Sequence, residues 1–433
     1  MTGPKSLSLV LSALTLVAVE PALTDRPKTD ESPLSIGITG TSPSDRAKDP
    51  TAILGSAKIQ RLILEIAETP KSRAEIESVV SGEFFTLDDM VNVGLLREEN
   101  DAYRIDFNLL RVADQKLILE VAEQSGRDLA SAFLAWRDEF EALAASHEQP
   151  QIGNAELLFI VLGCFSLDWD GLELTEERGY RDGAQRTLDG RSFTPWAKEK
   201  GVAVSLKGLY WGSHSSGSPL VLTTFGDHDA LPRFGLPDML WNSGGAFSHY
   251  EHLQDGQQAA SRLLAKYMAD AMADAASVML VLGEKDLSLQ ALAARTGIEN
   301  DRLERMLALL EEAGYVTRQD GTYAGRVLVL GPEDGEMVRD MVAKGREIMI
   351  AWHEANYDDV REALSDLTPL RNGVPFGRVY NEVWHFIFGI ANRELVKAGL
   401  FADPYAESRR HKGFLPFIWT NELSSWMKIG IRQ

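Results

Sequence analysis

Apolar positions fall at helical spacing in two distant parts of the chain, and the two parts read alike. Ile59, Leu62, Ile63 and Ile66 line one face of a helix that Pro70 ends. Ser72 with Glu75 three residues on has the spacing of a capping box and opens another helix. Leu87 to Val91 then leads through Gly94-Leu95-Leu96 into a charged turn, Arg97 to Ile105, that contains Tyr103. The later part begins with an apolar helix, Ser277 to Leu282, broken at Gly283. Leu287-Ser288-Leu289 and a short helix through Leu292 and Ala293 follow, with a turn at Thr296-Gly297-Ile298. Leu303, Met306, Leu307 and Leu310 recur at i, i+3, i+4 and i+7, the stripe of a half-buried helix. Gly314 stops it, and the runs Tyr315 to Thr317 and Tyr323 to Val329 predict two strands joined at Asp320-Gly321.

The likeness continues downstream. A long helix is expected to end at Ala135-Trp136 in the first part and at Ala351-Trp352 in the second. Each is followed by acidic helix and then by a strongly apolar one, Glu156 to Val161 and Glu382 to Ile387. An internal duplication of about 100 residues or more follows from this, spaced too widely for a solenoid. The expected segments are 1–55, apolar start and flexible linker; 56–165, a worn first unit with helical extension; 166–256, an irregular insert; and 257–433, a second unit with helical extension and aromatic tail. The insert is rich in Gly, Ser, Asp and aromatic residues, with strand-like runs at 202–206 and 220–225. Leu263, Leu264, Tyr267, Met268 and Ala271 share one face of the helix expected after it.

Helix, helix, turn, helix, hairpin, as read from 274 to 330, resembles a winged helix-turn-helix. The stretch is similar to the DNA-reading domain of ArsR- and MarR-type repressors and to the dimerisation domain of small-molecule O-methyltransferases. The likeness covers roughly an eighth of the chain and implies a fold more than a function, because the module serves DNA, RNA and protein pairing alike. The methyltransferase implication fails at once: the chain carries no Gly-rich cofactor loop after a strand.

The 433 residues carry a net charge of −20, with 44% apolar and 25% charged residues. So acidic a chain has no broad electrostatic footprint on nucleic acid, although a local basic face would still suffice. The lone Cys164 excludes an internal disulfide and a Cys-rich zinc site, and its apolar neighbours predict a buried thiol. Lys5 ahead of the apolar run Leu7 to Val19 is laid out like a signal peptide, whereas Ala22-Leu23-Thr24 is a poor cleavage site. The expected location is therefore cytoplasmic, with export as the alternative.

Three constellations carry the candidate chemistry. Asn300, Arg302 and Arg305 open the would-be reading helix, and Arg318 and Arg326 flank its wing; Arg reads guanine or holds phosphate, and Asn reads adenine. Glu299, Asp301, Glu304, Glu311 and Glu312 on the same helix oppose phosphate. His214, Asp227, His228, His249 and His252 form a His/Asp-rich group suited to zinc or a general base, and zinc is the one cofactor considered. Turn-capping Asp and hydrogen-bonded His side chains account for the same residues without a metal. Arg409, Arg410 and Lys412 beside Tyr405, Phe414 and Trp419, with Trp352, Trp384 and His385, suggest an aromatic small-ligand pocket with a cationic wall. Ordinary core packing is the competing account of those aromatics.

The expectation is a mainly helical protein with small β-wings: two winged-helix-like units in tandem, helical extensions and an irregular α+β insert. Its function is that of a ligand-responsive regulator binding DNA or a protein partner through the second unit, as a pseudo-dimeric monomer or a homodimer. The alternative is an enzyme or small-ligand-binding protein with its site in the insert.

Overall fold

The structure, a computed structural model, describes residues 32–40, 43, 45–149, 151–201, 206–216, 220–227, 255–409, 412–420 and 422–423. The first half opens with β1 (Leu34–Gly40). Helix α1 (Ala57–Glu68) is capped by Ser56, and its predicted stripe of Ile59, Leu62, Ile63 and Ile66 is buried. A two-residue β2 (Lys71–Ser72) leads to α2 (Arg73–Val80), which the predicted Ser72–Glu75 capping box starts. A second capping box, Thr86 with Asp89, starts the one-and-a-half-turn α3 (Leu87–Asn92). β3 (Leu96–Glu99) and β4 (Ala102–Ile105) form a hairpin whose turn residues, Asn100 and Asp101, both have positive φ. β5 (Asn108–Leu110), α4 (Val112–Leu134) and α5 (Arg137–Ala144) follow. The continuous helix α6 comprises Asn154–Leu158, a π-helical run Phe159–Asp170 and Gly171–Glu177. β6 (Arg186–Leu188) and β7 (Arg191–Glu199) close the half.

The second half repeats this order after an extra strand, with no described counterpart of β6. β8 (Tyr210–Ser216) and β9 (Leu220–Asp227) precede α7 (Asp255–Glu284), β10 (Leu287–Ser288), α8 (Leu289–Thr296) and α9 (Asn300–Glu312). The hairpin β11 (Val316–Gln319) and β12 (Thr322–Gly325) turns at Asp320-Gly321, also with positive φ at both residues. β13 (Leu328–Leu330), α10 (Gly335–Ala363), α11 (Phe376–Lys397) and β14 (Phe414–Thr420) complete it. Registers agree pair by pair. Tyr103 stands opposite Glu98 and Lys71, and Tyr323 opposite Arg318 and Leu287.

The correspondence reaches beyond the hairpins. β7 runs antiparallel to β1 and parallel to β5; β14 runs antiparallel to β9 and parallel to β13. Gly40 faces Phe193 and Gly226 faces Phe414, and the strands share the pattern Phe-x-Pro at Phe193/Pro195 and Phe414/Pro416. The long helices cross between halves, α4 packing on α11 and α10 on the π-helical run of α6, to form one apolar centre. Separate small cores fill the first unit and the second.

Several expectations change. With 55% helix and several sheets the architecture is mixed α+β rather than mainly α. Residues 166–256 do not stand apart as an insert: 186–199 complete the first sheet and 210–216 and 220–227 build the second, while 202–205, 217–219 and 228–254 lie outside the described residues. The reason is that β7 and β9 find their partners at the far ends of their own halves, which local patterning does not report. The second long helix does not end at Ala351-Trp352 but runs to Ala363, with Trp352 buried in its interior; Trp136, at the true end of α4, is exposed beneath the Lys344 ammonium at 4.0 Å. The run Tyr323 to Val329 splits into β12 and β13, the latter leaving the hairpin to pair with β14. The aromatic tail is therefore partly a buried strand. The two helical stretches around 257–282 are one helix, on which Leu263 and Tyr267 are exposed. Among the described residues no helix is long and apolar enough to cross a membrane, and the signal-like segment lies outside them.

Candidate functional site

Two places concentrate unspent chemistry: the outward side of the second unit and a polar–aromatic knot in the helical centre.

On the second unit, α9 buries Leu303, Leu307 and Leu310 and turns its other side to solvent. The predicted DNA-reading residues Asn300, Arg302, Arg305, Arg318 and Arg326 are all exposed there. They are not equally available. Arg302 is ion-paired with Asp274 of α7. The Arg318 guanidinium lies 5.4 Å from the Tyr323 ring centre, and Arg326 Nε donates to Thr317 Oγ1 at 2.9 Å. Arg305 makes no ion pair among the described residues. Beside it Leu309 keeps 65% of its surface exposed. The first unit differs: Arg73 of α2 pairs with Asp88 of α3 at 3.1 Å, and Arg46 from the segment before α1 lies 4.5 Å over the Phe84 ring. Its α3 is thus tied to α2 through Asp88, while Phe84, ahead of the helix, keeps 45% of its surface exposed.

In the centre, α10 contributes Trp352, His353 and Tyr357, α11 contributes Phe376, Tyr380 and Trp384, and Tyr180 follows α6. The His353 ring stacks on Tyr180 at 4.8 Å and meets Trp384 at 4.7 Å and Tyr380 at 5.9 Å. His353 Nδ1 is 2.7 Å from the Met349 carbonyl, which can only accept, so Nδ1 carries the proton and Nε2 is left as an acceptor. Burial pushes the imidazole down to about 4, and it is neutral at ordinary pH. Among the described residues His353 Nε2, Tyr380 Oη and Trp352 Nε1 have no hydrogen-bond partner, whereas Trp384 Nε1 donates to the Leu167 carbonyl. Burial also raises the Tyr380 hydroxyl.

Lys198 of β7 reaches the other flank of α11. Its ammonium is 2.9 Å from the buried Glu382 carboxylate and within 5.1, 6.0 and 5.6 Å of the Trp196, Trp211 and Phe386 rings. His385 belongs to this flank, with Nδ1 2.6 Å from the Asn381 carbonyl and its ring 6.4 Å from Trp211. Burial lowers it, against the raising effect of Glu382.

The expected ligand set is therefore divided. Trp352 and Trp384 meet at 6.0 Å in the knot, and His385 points elsewhere. Among the described residues the basic cluster forms no cationic wall. Arg409 pairs with Glu156 at 2.9 Å and donates to the Asp403 carbonyl, Lys412 donates to the Ala406 and Glu407 carbonyls, and Arg410 lies outside the described residues. Arg409 thus ties its loop to α6, and Lys412 fastens the loop to its own backbone. Of the proposed metal group, His228, His249 and His252 lie outside the described residues, and His214 is in β8. Asp227 is buried at the end of β9 and accepts from Tyr405 Oη at 2.6 Å and from the Gly208 amide. Among the described residues no three His, Cys, Asp or Glu side chains converge as a metal site. Cys164 is buried, as predicted, and burial raises its thiol.

His353, Tyr380, Lys198 and Glu382 were not singled out from the sequence. The spacings His353/Tyr357 and Tyr380/Trp384, each i, i+4, were the available signal. No protein-family model, curated protein or solved structure matches the chain.

Proposed function

We propose that the protein is a winged-helix regulator of duplicated architecture, which acts by binding a macromolecular partner through the outward helix α9 of its second unit. Element order and hairpin register shared by the two units support the winged-helix reading and the duplication. The crossing of α4 on α11 and α10 on α6 supports a pseudo-dimer, one polypeptide standing in for two subunits.

One observation carries the binding role: α9 presents Arg305, Leu309 and Glu312 to solvent, with Arg305 and Glu312 in no ion pair among the described residues. The partner is a protein rather than a nucleic acid. Arg302 is already neutralised by Asp274, and Asp301, Glu304 and Glu312 share the exposed side with Arg305, so phosphate meets net repulsion there. Covering Leu309, by contrast, removes apolar surface from water, which a protein partner offers and a phosphate backbone does not. The central knot is the place in this reading where a small ligand would act on both halves, since α10 and α11 are packed on helices of the first. The enzyme reading is the weaker one, because the strands β6, β7, β8 and β9 of the former insert are spent in the two sheets.

The test is a photo-crosslinking side chain at position 309 of the full chain, alongside a titration with duplex DNA at low and moderate salt. A protein adduct at 309, absent when the crosslinker is at position 84 of the first unit, is expected, together with no salt-dependent DNA binding. Salt-dependent binding lost on Arg305→Ala would assign the helix to DNA instead.

A further inference from the structure

The second unit's open face has a composition that identifies its occupant. On α9 the buried leucines Leu303, Leu307 and Leu310 leave Arg305, Ala308, Leu309 and Glu312 exposed together on the opposite side. Asp301 and Glu304 lie nearer the helix start, where an antiparallel copy would set its Ala313 against Glu304 rather than an acid, its own α9 having ended before the position opposite Asp301. Arg305 and Glu312 make no ion pair among the described residues, although the chain pairs most of its arginines, Arg302 on the same helix included. The helix thus carries a cation four residues before an exposed leucine and an anion three residues after it.

That order is self-complementary. Two such helices laid antiparallel about a two-fold axis between Ala308 and Leu309 bring Arg305 of each against Glu312 of the other. They also bring the small Ala308 of each against the Leu309 of the other, so that a small side chain faces a large one twice. An isologous contact requires this kind of match, residue i on j and j on i. We propose that α9 is the docking face for a second copy of this chain, paired antiparallel through Leu309 and two reciprocal Arg305–Glu312 ion pairs. The proposal rests on α9 being a docking helix and names what docks there.

A single helix pair is small beside standard interfaces, so the association is weak, roughly micromolar. Sedimentation velocity of the full chain, from low micromolar to hundreds of micromolar, is expected to show a monomer passing into a dimer. Arg305→Glu and Glu312→Arg each place like charges together twice and should weaken the dimer about tenfold. The double variant, with the charges exchanged, should return to within about threefold of the parent. Leu309→Asp should leave a monomer at every concentration. All three positions are exposed, so unchanged thermal melting serves as the check that the fold is intact.

A parent chain that stays monomeric throughout overturns the proposal, as does a dimer indifferent to these substitutions or one that the exchanged pair fails to restore. If the chain is monomeric while a crosslinker at 309 captures a different protein, self-pairing is wrong and the docking role of α9 stands.

Discussion

His147, in the first half of the chain, lies with Nδ1 2.7 Å from Oδ1 of Asp334, in the second. The other oxygen of Asp334 accepts the Gly331 amide at 2.8 Å, at the turn that leads into α10. The same arrangement occurs with the halves exchanged. Asp114 accepts the Arg111 amide at 2.7 Å, ahead of α4, and the Thr368 amide of the second half at 2.9 Å. Nearby, Gln149 bonds the backbone of Val327 and Val329, as Asn372 bonds the Ala67 carbonyl. Each half thus clamps the other's unit through the segment between its long helices. Asp334→Ala leaves the Gly331 amide and His147 without their acceptor, and hydrogen bonds to a charged group are worth about 1.5–3 kcal/mol each. A loss of roughly 3 kcal/mol in denaturant unfolding is expected, with a single transition retained. Loss of the second unit alone, with the first intact, would show that the clamps do not couple the halves.

Where α4 crosses α11, Gly126 permits the close approach. A methyl group there would stand 2.6 Å from Ile390 Cγ2 and 2.7 Å from the Ile387 carbonyl. Gly126→Ala gains about 1 kcal/mol of helix propensity. Overpacking costs about 1–3 kcal/mol, and here one obstacle is backbone, which cannot swing aside. Net destabilisation of about 0–2 kcal/mol is expected from the difference. A variant more stable than the parent would mean that the crossing has room the structure does not show.

The small elements of both units were legible in the sequence because their causes are local: the Ser72–Glu75 box, the stripe of Leu303, Leu307 and Leu310, and the Asp320-Gly321 turn each act within a few residues. The closing strands were not, since β7 and β14 gain their meaning from partners more than 80 residues away. Trp352 illustrates the limit at the candidate site. Its apolar character placed it correctly in the interior, but a matching Ala-Trp pair put it at a helix end, because pattern alone cannot tell a terminus from a buried turn. The availability of each arginine was equally out of reach: Arg302 and Arg305 look alike in the chain, and only the neighbouring helix separates them.

Tyr380 is fully buried, and its hydroxyl finds no partner among the described residues. A buried hydroxyl whose protein surroundings offer no hydrogen bond carries its desolvation cost uncompensated, about 1–3 kcal/mol. Tyr380→Phe keeps the ring contacts with Tyr357 and Phe376. Stability is therefore expected to stay level or rise by about 1 kcal/mol in thermal or denaturant unfolding. A clear loss would show that Oη bonds to something bound in the knot, and would direct a ligand search there.

The pH dependence of stability separates His353 from Asp170. Burial holds His353 at about 4 against an ordinary 6.5, so the unfolded chain takes up its proton first as pH falls. Its contribution is present in full above 6.5 and is lost as pH drops towards 4, about 3 kcal/mol over the window. Asp170 runs the other way. Burial, only partly offset by Arg346, raises it to about 6 from 3.8, so its contribution is present in full below 3.8 and is lost as pH rises through 6. Between pH 4 and 6 the two effects oppose, and the parent chain is expected to show a shallow slope there. His353→Phe removes one and should leave stability falling with rising pH. Asp170→Asn removes the other and should leave it rising more steeply than in the parent. Unfolding curves at half-unit intervals decide the matter, and identical slopes in all three proteins would mean that neither group is held as the structure places it.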